Sequence, residues 1–275
     1  MPTTIGLLTP NGLEAVGYTA ESLAEAATHE PEGVYSVART FHHDQELMLD
    51  AHLDRMEESA RIAEIPLQLD RAALRGALRE LIAQAGYPEA RFRITVPRQA
   101  PDHRIITLEP FEAIPAALRQ KGVAVATVPI QREAPQAKLT EWMAQRAAAK
   151  QQHAPDAYEC IIVDEQEALL EGFGSNFYAV VDGVLYTAPD DTVLNGIARR
   201  VTLTIAPEVT PVKLAAVRLA QLPQLDETFL TSSSRGVIPI TRINATVIGN
   251  GQPGPYTQQL ANRYDAWVEA HLAPI

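Results

Sequence analysis

Hydrophobic and polar positions first fall into a period of two and then into a helical period. Residues 33–41 carry β-branched and aromatic side chains along a pleated segment, which predicts a strand with Tyr35, Val37 and Arg39 on one face. A polar turn at 43–45 leads to a second short strand at 46–49. Leu53, Met56, Ala60 and Ile62 then recur on one side of a helix spanning 51–65. A further helix spans 70–85, with Asp70 as its N-cap and Gly86 as its stop. Strands follow at 91–97 and 105–108. Residues 1–33 read as irregular, with a helical patch at 21–27.

The prolines at 110 and 115 mark a linker. Beyond it, the pattern predicts a strand at 122–130 and a helix at 139–151. Asp182-Gly183, set between two apolar runs, signals a hairpin. A helix at 197–206 precedes strands at 209–217, 228–230 and 237–243, and a helix at 255–272 closes the chain. The early part thus alternates strands and helices in an α+β pattern, and the later part is β-rich with helices outside.

Composition narrows the classes. With 275 residues and 46% hydrophobic content, the chain can bury a sizeable core as one large domain or two medium ones. A net charge of −11 argues against nucleic-acid binding, which needs a basic face. No apolar run approaches the roughly 20 residues of a membrane span. The N-terminus lacks a signal peptide's basic start and apolar core, so the expected location is cytoplasmic. Cys160 is the only cysteine and no histidine pair has ligand spacing, so no metal site is expected. Lysine occurs only at 121, 138, 150 and 213, which leaves few candidates for lysine chemistry.

Lys138 lies at a strand-to-helix junction. Most lysines are solvated surface groups. A buried one loses solvation, its pKa falls, and the free amine attacks aldehydes. Glu171 ends the apolar run at 168–170. Alone it is an ordinary strand-end carboxylate, but beside a pyridine nitrogen it would keep the ring protonated and electron-accepting. Gly196 allows close backbone approach, and a helix opening at Ile197 offers N–H groups to a phosphate, although the same pattern also makes a plain turn. Residues 231–236 form a hydroxyl-rich turn. Arg55 brings a permanent charge and a planar donor fork.

Together these segments resemble the class IV (fold type IV) pyridoxal-phosphate enzymes: branched-chain aminotransferases, D-amino acid aminotransferases and aminodeoxychorismate lyases. Glu171, Gly172, Ser175, Asn176, Asp182, Gly183 and Thr187 match one motif in step. Residues 194–199 match L-x-G-I-x-R. His52, Arg55, Ser59 and Ala60 match a helical H-x-x-R…S-A motif. The resemblance runs from residue 33 to the closing helix. It implies pyridoxal 5′-phosphate bound covalently at the catalytic Lys138, with Arg55, Glu171, Ser175, Asn176, Gly196, Ile197, Ala198 and Ser233 around it. The family usually has threonine at the place of Ala198, so one hydroxyl contact is absent. The family also has glutamate in the G-V-x-E position held here by Ser36, a departure expected to affect the substrate side.

The implied architecture is a two-domain α+β fold. A small N-terminal α/β sandwich spans 1–112, a linker spans 113–118, and a larger β-barrel-like domain with outer helices spans 119–275, with the cofactor in the cleft between. The implied assembly is a homodimer or higher homo-oligomer. The implied reaction moves an amino group between an amino acid and a 2-oxo acid such as 2-oxoglutarate or pyruvate. Tyr35, Val37, Arg39, Arg93, Thr95, Ser234 and Arg235 are the substrate-side candidates. Arg93 favours a substrate carboxylate, which suits D-amino acids. Branched-chain L-amino acids and lyase chemistry stay open, as does a non-catalytic binding protein on the same fold. A serine hydrolase is disfavoured, because 231–236 is no G-x-S-x-G elbow.

Overall fold

A computed structural model describes residues 3–275. Its chain opens with β1 (Thr4–Thr9), β2 (Gly12–Ala15) and α1 (Leu23–Ala26). Next come β3 (Gly33–Arg39), β4 (Gln45–Leu47), α2 (Leu49–Ile62), α3 (Arg71–Ala85), β5 (Ala90–Pro97) and β6 (Arg104–Pro110). Then follow α4 (Ala116–Lys121), β7 (Val123–Pro129), α5 (Thr140–His153), β8 (Cys160–Val163), β9 (Leu169–Gly172), β10 (Ser175–Val181) and β11 (Val184–Thr187). The rest comprises α6 (Ile197–Ile205), β12 (Val212–Leu214), β13 (Glu227–Ser232), β14 (Gly236–Ile243), β15 (Thr246–Val247), α7 (Pro255–Ala270) and β16 (Leu272–Pro274).

Two units emerge. The first takes in Met1–Glu112, Ala137–Ala144 and His271–Ile275, and the second takes in Ala113–Gln136 and Gln145–Ala270. Segments 137–144 and 271–275, placed with the larger domain on linear grounds, therefore pack with the first unit. Its five-stranded sheet has the order β2-β1-β6-β5-β3, antiparallel throughout. Leu53, Met56, Leu74, Leu78 and Leu81 of α2 and α3 are buried in one core with Val34, Ala38, Phe92, Ile94 and Ile106 of the sheet. Each of these side chains larger than alanine contributes about 1.5–3 kcal/mol by leaving water. Asp70 caps α3 by accepting from Ala73 N–H, and Gly86 ends it at φ 63°.

The irregular reading of 1–33 needs correction at 4–15, where β1 and β2 form a hairpin. Its alternation is short and broken by glycine and threonine. The strand is set by a long-range partner instead, because Thr4 to Leu8 pair with Leu108 to Arg104 of β6.

In the second unit β10, β13, β14, β7, β8 and β9 are successive neighbours, and β9 pairs back onto β10. That closure makes a six-stranded barrel-like sheet, with β11, β12 and β15 attached outside the ring. This is the mixed α+β architecture expected, with a barrel-like sheet in the later part of the chain. The hairpin at Asp182-Gly183 has φ 49° and 68°, the left-handed pair that a tight two-residue loop requires. The strand expected at 209–217 shrinks to β12, because Pro211 brings no N–H to a ladder.

Two glycines test this packing. A Cβ on Gly33 would lie 2.0 Å from the Val96 carbonyl oxygen, inside the β3–β5 ladder. Gly33→Ala should lose about 3 kcal/mol through overpacking. A Cβ on Gly76 of α3 meets nothing within 4 Å, so Gly76→Ala should gain about 1 kcal/mol. Urea denaturation of both variants checks the pair, which should move in opposite directions.

Candidate active site

Lys138 is held through its backbone. Its N–H donates to Ser59 Oγ at 3.1 Å, and its carbonyl accepts from Tyr35 N–H at 3.0 Å. Leu139 bridges to Val34, and Thr140 Oγ1 accepts from Gly33 N–H at 2.8 Å. Residues 138–140 thus run along β3, which is an edge of the five-stranded sheet. The Lys138 Nζ stands 4.6 Å from the centroid of the buried Tyr35 ring. Ser59 also donates to the Arg55 carbonyl at 2.7 Å, which ties the helix carrying Arg55 to the backbone of Lys138.

Alternation and register put Tyr35, Val37 and Arg39 on one face of the sheet, opposite Thr95, Arg93 and Arg91 of β5. The face is as expected, but its arginines are committed. Arg93 grips Glu30 with Nε at 2.9 Å and Nη2 at 2.5 Å, and donates through Nη1 to the Leu23 carbonyl at 2.7 Å. Thr95 donates to Glu30 at 2.5 Å and Thr107 at 3.1 Å. Arg39 donates to Glu89 at 3.1 Å, and its guanidinium lies 3.9 Å from the Phe41 ring centroid and 3.7 Å from that of Phe111. Ser36, expected to affect the substrate side, lies on the opposite face. Its hydroxyl accepts from Arg55 Nη2 at 3.0 Å, so the departure from the family pattern bears on the arginine assigned to the cofactor.

In the second unit Glu171 lies near the end of β9. One carboxylate oxygen is paired with Arg132; the other accepts from Leu194 N–H at 3.1 Å and faces Asn176 Nδ2 at 3.5 Å. Asn176 also donates to the Leu194 carbonyl at 2.9 Å. Asn176 therefore stitches Glu171 to the loop that enters α6. A Cβ on Gly196 would lie 2.4 Å from Asn176 Oδ1, so only glycine fits there. Gly196 is the N-cap of α6, and Ile197 and Ala198 open the helix. The fully buried Arg199 holds that turn from behind, through the Ala188 carbonyl, Thr187 and Asp190. A cavity of about 220 Å³ lies beside Glu171, with Arg132, Ile162, Leu170 and Thr192 in its wall.

Ser233 and Ser234 lie in the turn that the Ser232–Gly236 pair closes between β13 and β14. Arg235 follows them and is committed like the others, donating to Glu159 at 2.5 Å. Ser175, assigned to the cofactor by resemblance, likewise donates to Glu159 at 2.8 Å. Burial pushes the Glu159 carboxyl up, but the Arg235 guanidinium, with Gly174 N–H and the Ser175 hydroxyl, outweighs burial and holds it below the usual value. Burial pulls Arg235 down, and Glu159 more than reverses this, so the guanidinium is held above its ordinary range.

The family model for amino-transferase class IV matches residues 33–243. The chain is a class IV aminotransferase. Class IV aminotransferases use pyridoxal phosphate, and membership sets aside the non-catalytic binding protein. A D-alanine aminotransferase of Listeria innocua is 28% identical over 249 residues, covering 85% of this chain and 86% of its own. One from Staphylococcus epidermidis is 38% identical over 107 residues, 38% of each chain. Among solved structures, a branched-chain aminotransferase from the thermophilic archaeon Thermoproteus uzoniensis, with norvaline, has a TM-score of 0.78 at 23% identity, covering 100% of this chain and 99% of its own. At that identity the likeness speaks for the fold. Among the described residues no helix is long and apolar enough to cross a membrane.

Sequence reasoning about this aminotransferase missed the partners. Arg132, Glu30 and Glu159 each lie far along the chain from the residue they bind. Arg132 lies six positions before Lys138, but nothing in the sequence marks it as the partner of Glu171. Arg235→Ala would leave Glu159 buried and unpaired, at a cost of about 3 kcal/mol near pH 7. A carboxyl held low in the folded state stabilises fully above its unfolded value near 4.5, and less as pH falls through its folded value. The stability gap between wild type and Arg235→Ala, read from urea midpoints, should therefore stay level from pH 7 to about pH 5 and narrow below about pH 4.5.

Proposed function

We propose that this aminotransferase transfers an amino group from a D-amino acid to a 2-oxo acid, with pyridoxal 5′-phosphate carried on Lys138. The observation that carries the lysine's role is its backbone clamp, which sets the amine over the buried Tyr35 ring. The residues present fit such a cofactor. Lys138 has an amine for its aldehyde and Glu171 has a fixed carboxylate for its ring nitrogen. The α6 N-terminus, Arg55 and Ser233 offer donors for its phosphate, and Gly196 lets Asn176 pack directly against the start of that helix. When bound, pyridoxal phosphate supplies a carbonyl for the amino group and a ring that takes up the electron pair released at the substrate Cα.

The chain's own residues do the rest in this reading. Lys138 Nζ takes the proton from the substrate Cα and returns it to the opposite end of the reacting system. Glu171, kept in place by Arg132, Leu194 N–H and Asn176, would accept from a protonated ring nitrogen. Ile197 and Ala198 N–H groups, Arg55 and Ser233 would hold the phosphate. Tyr35 and Val37 remain the substrate-side candidates on β3. Arg39, Arg93 and Arg235 are not proposed as receptors for the substrate carboxylate, because each is bound to an internal glutamate. Support for the D-series comes from the D-alanine aminotransferases that align over most of the chain.

Borohydride reduction of the holoenzyme should fix the cofactor mass on the peptide bearing Lys138. Lys138→Ala should lose that adduct and about 10²–10⁴-fold in kcat. The visible spectrum of wild type should change with D-alanine or D-glutamate. Change with L-leucine alone would move the substrate to the branched-chain L-series. A coloured protein that responds to no amino acid would replace transamination by lyase chemistry.

A further inference from the structure

Glu46, His52 and Ser36 form a buried line that ends on Arg55. Glu46 Oε1 lies 3.5 Å from His52 Nε2, with both side chains 2% exposed. His52 Nδ1 lies 2.9 Å from Ser36 Oγ. Arg55 Nη2 donates to Ser36 Oγ at 3.0 Å and stands 3.4 Å from His52 Nδ1. Three elements meet here: Ser36 on β3, Glu46 on β4, and His52 with Arg55 one turn apart on α2.

The chemistry of the groups sets the direction of the protons. A guanidinium only donates, so the imidazole nitrogen beside it must be the accepting one. The Ser36 hydroxyl, which already accepts from Arg55, then gives its own proton to Nδ1. His52 carries its proton on Nε2, aimed at Glu46 Oε1. Donation therefore runs from Arg55 to Ser36 and from Ser36 to His52, and the remaining Nε2–H faces Glu46 Oε1 at 3.5 Å.

We propose that Glu46 is a positioning residue that selects the His52 tautomer and, through Ser36, sets the orientation of Arg55 for a phosphate group. The proposal rests on the role given above to Arg55. Glu46 needs no charge for this. Burial pushes its carboxyl well above the usual range, reinforced by Asp50 and opposed by Arg75 and Arg55, yet a carboxyl oxygen facing Nε2–H can act as acceptor whether or not the group is ionised. The line also gives meaning to Ser36. Where the resembled family has a glutamate, this chain has a hydroxyl, and the acid stands on the far edge of the imidazole.

Glu46→Leu removes the acceptor, whereas Glu46→Gln keeps an oxygen in its place. Two measurements separate the roles. The first is the ¹⁵N long-range spectrum of His52 in protein free of cofactor, assigned by the signals missing in His52→Gln. Wild type and Glu46→Gln should show the Nε2–H tautomer, and Glu46→Leu should lose it. The second is affinity for pyridoxal phosphate against pyridoxal. Glu46→Leu and Ser36→Ala should weaken the phosphorylated form about tenfold and leave pyridoxal within about twofold, with Glu46→Gln close to wild type. An Nδ1–H tautomer in wild type would overturn the relay. So would equal loss of both ligands in Glu46→Leu, which would mark a general packing role. If wild type binds neither ligand, the cofactor reading fails, and the His52 tautomer still decides the relay.

Discussion

The pairing of residues 138–140 with the outer edge of β3 underlies the arrangement around Lys138. An edge strand presents N–H and C=O groups that need partners. Here the returning chain supplies some of them, and the lysine sits inside that exchange rather than on a loose loop. Tyr35 N–H and Ser59 Oγ fix its backbone from two elements, so the side chain starts from a set point. Moving that point would also disturb α2, because Ser59 reaches the Arg55 carbonyl.

The second theme is where buried charge is placed. Arg93 with Glu30 and Arg235 with Glu159 are both largely dry pairs. Taking such ions out of water is unfavourable and is offset only by good geometry and extra hydrogen bonds. Both pairs have these, through Thr95 and Thr107 in one case and Ser175 and Gly174 in the other. They fix loops to sheets: Glu30 ties the segment before β3 to β5 and β6, and Arg235 ties the β13–β14 turn to the strand start at Glu159. Arginines that look like receptors for a substrate are thereby part of the framework.

The local grammar was legible in the sequence. Alternation placed β3 and its two faces, Asp70 and Gly86 bounded α3, and Asp182-Gly183 marked its hairpin. The motif spacing around Lys138, Glu171 and Gly196 was enough to identify the family. What stayed hidden depends on pairing across distance. The β1–β2 hairpin exists because β6 lies beside it. Glu30 has no feature near Arg93 in the chain. The contact of Ser36 with Arg55 was hidden too, since a single substitution in a strand says which residue changed but not which helix side chain will meet it.

The first unit is assembled from separated pieces. Leu47 of β4 pairs with Leu272 of β16, and Ile275 joins the same buried cluster as Leu53 and Leu78. The core of the early residues is thus completed by residues made much later. During synthesis the 1–112 segment would emerge with an open sheet edge at β3 and an unfilled place in its core. Closing such long loops costs entropy before any contact forms to offset it, which slows folding. Meanwhile the second unit's barrel can close from residues nearer one another in the chain. The expected order is therefore inverted relative to the sequence, with the part that begins first finishing last.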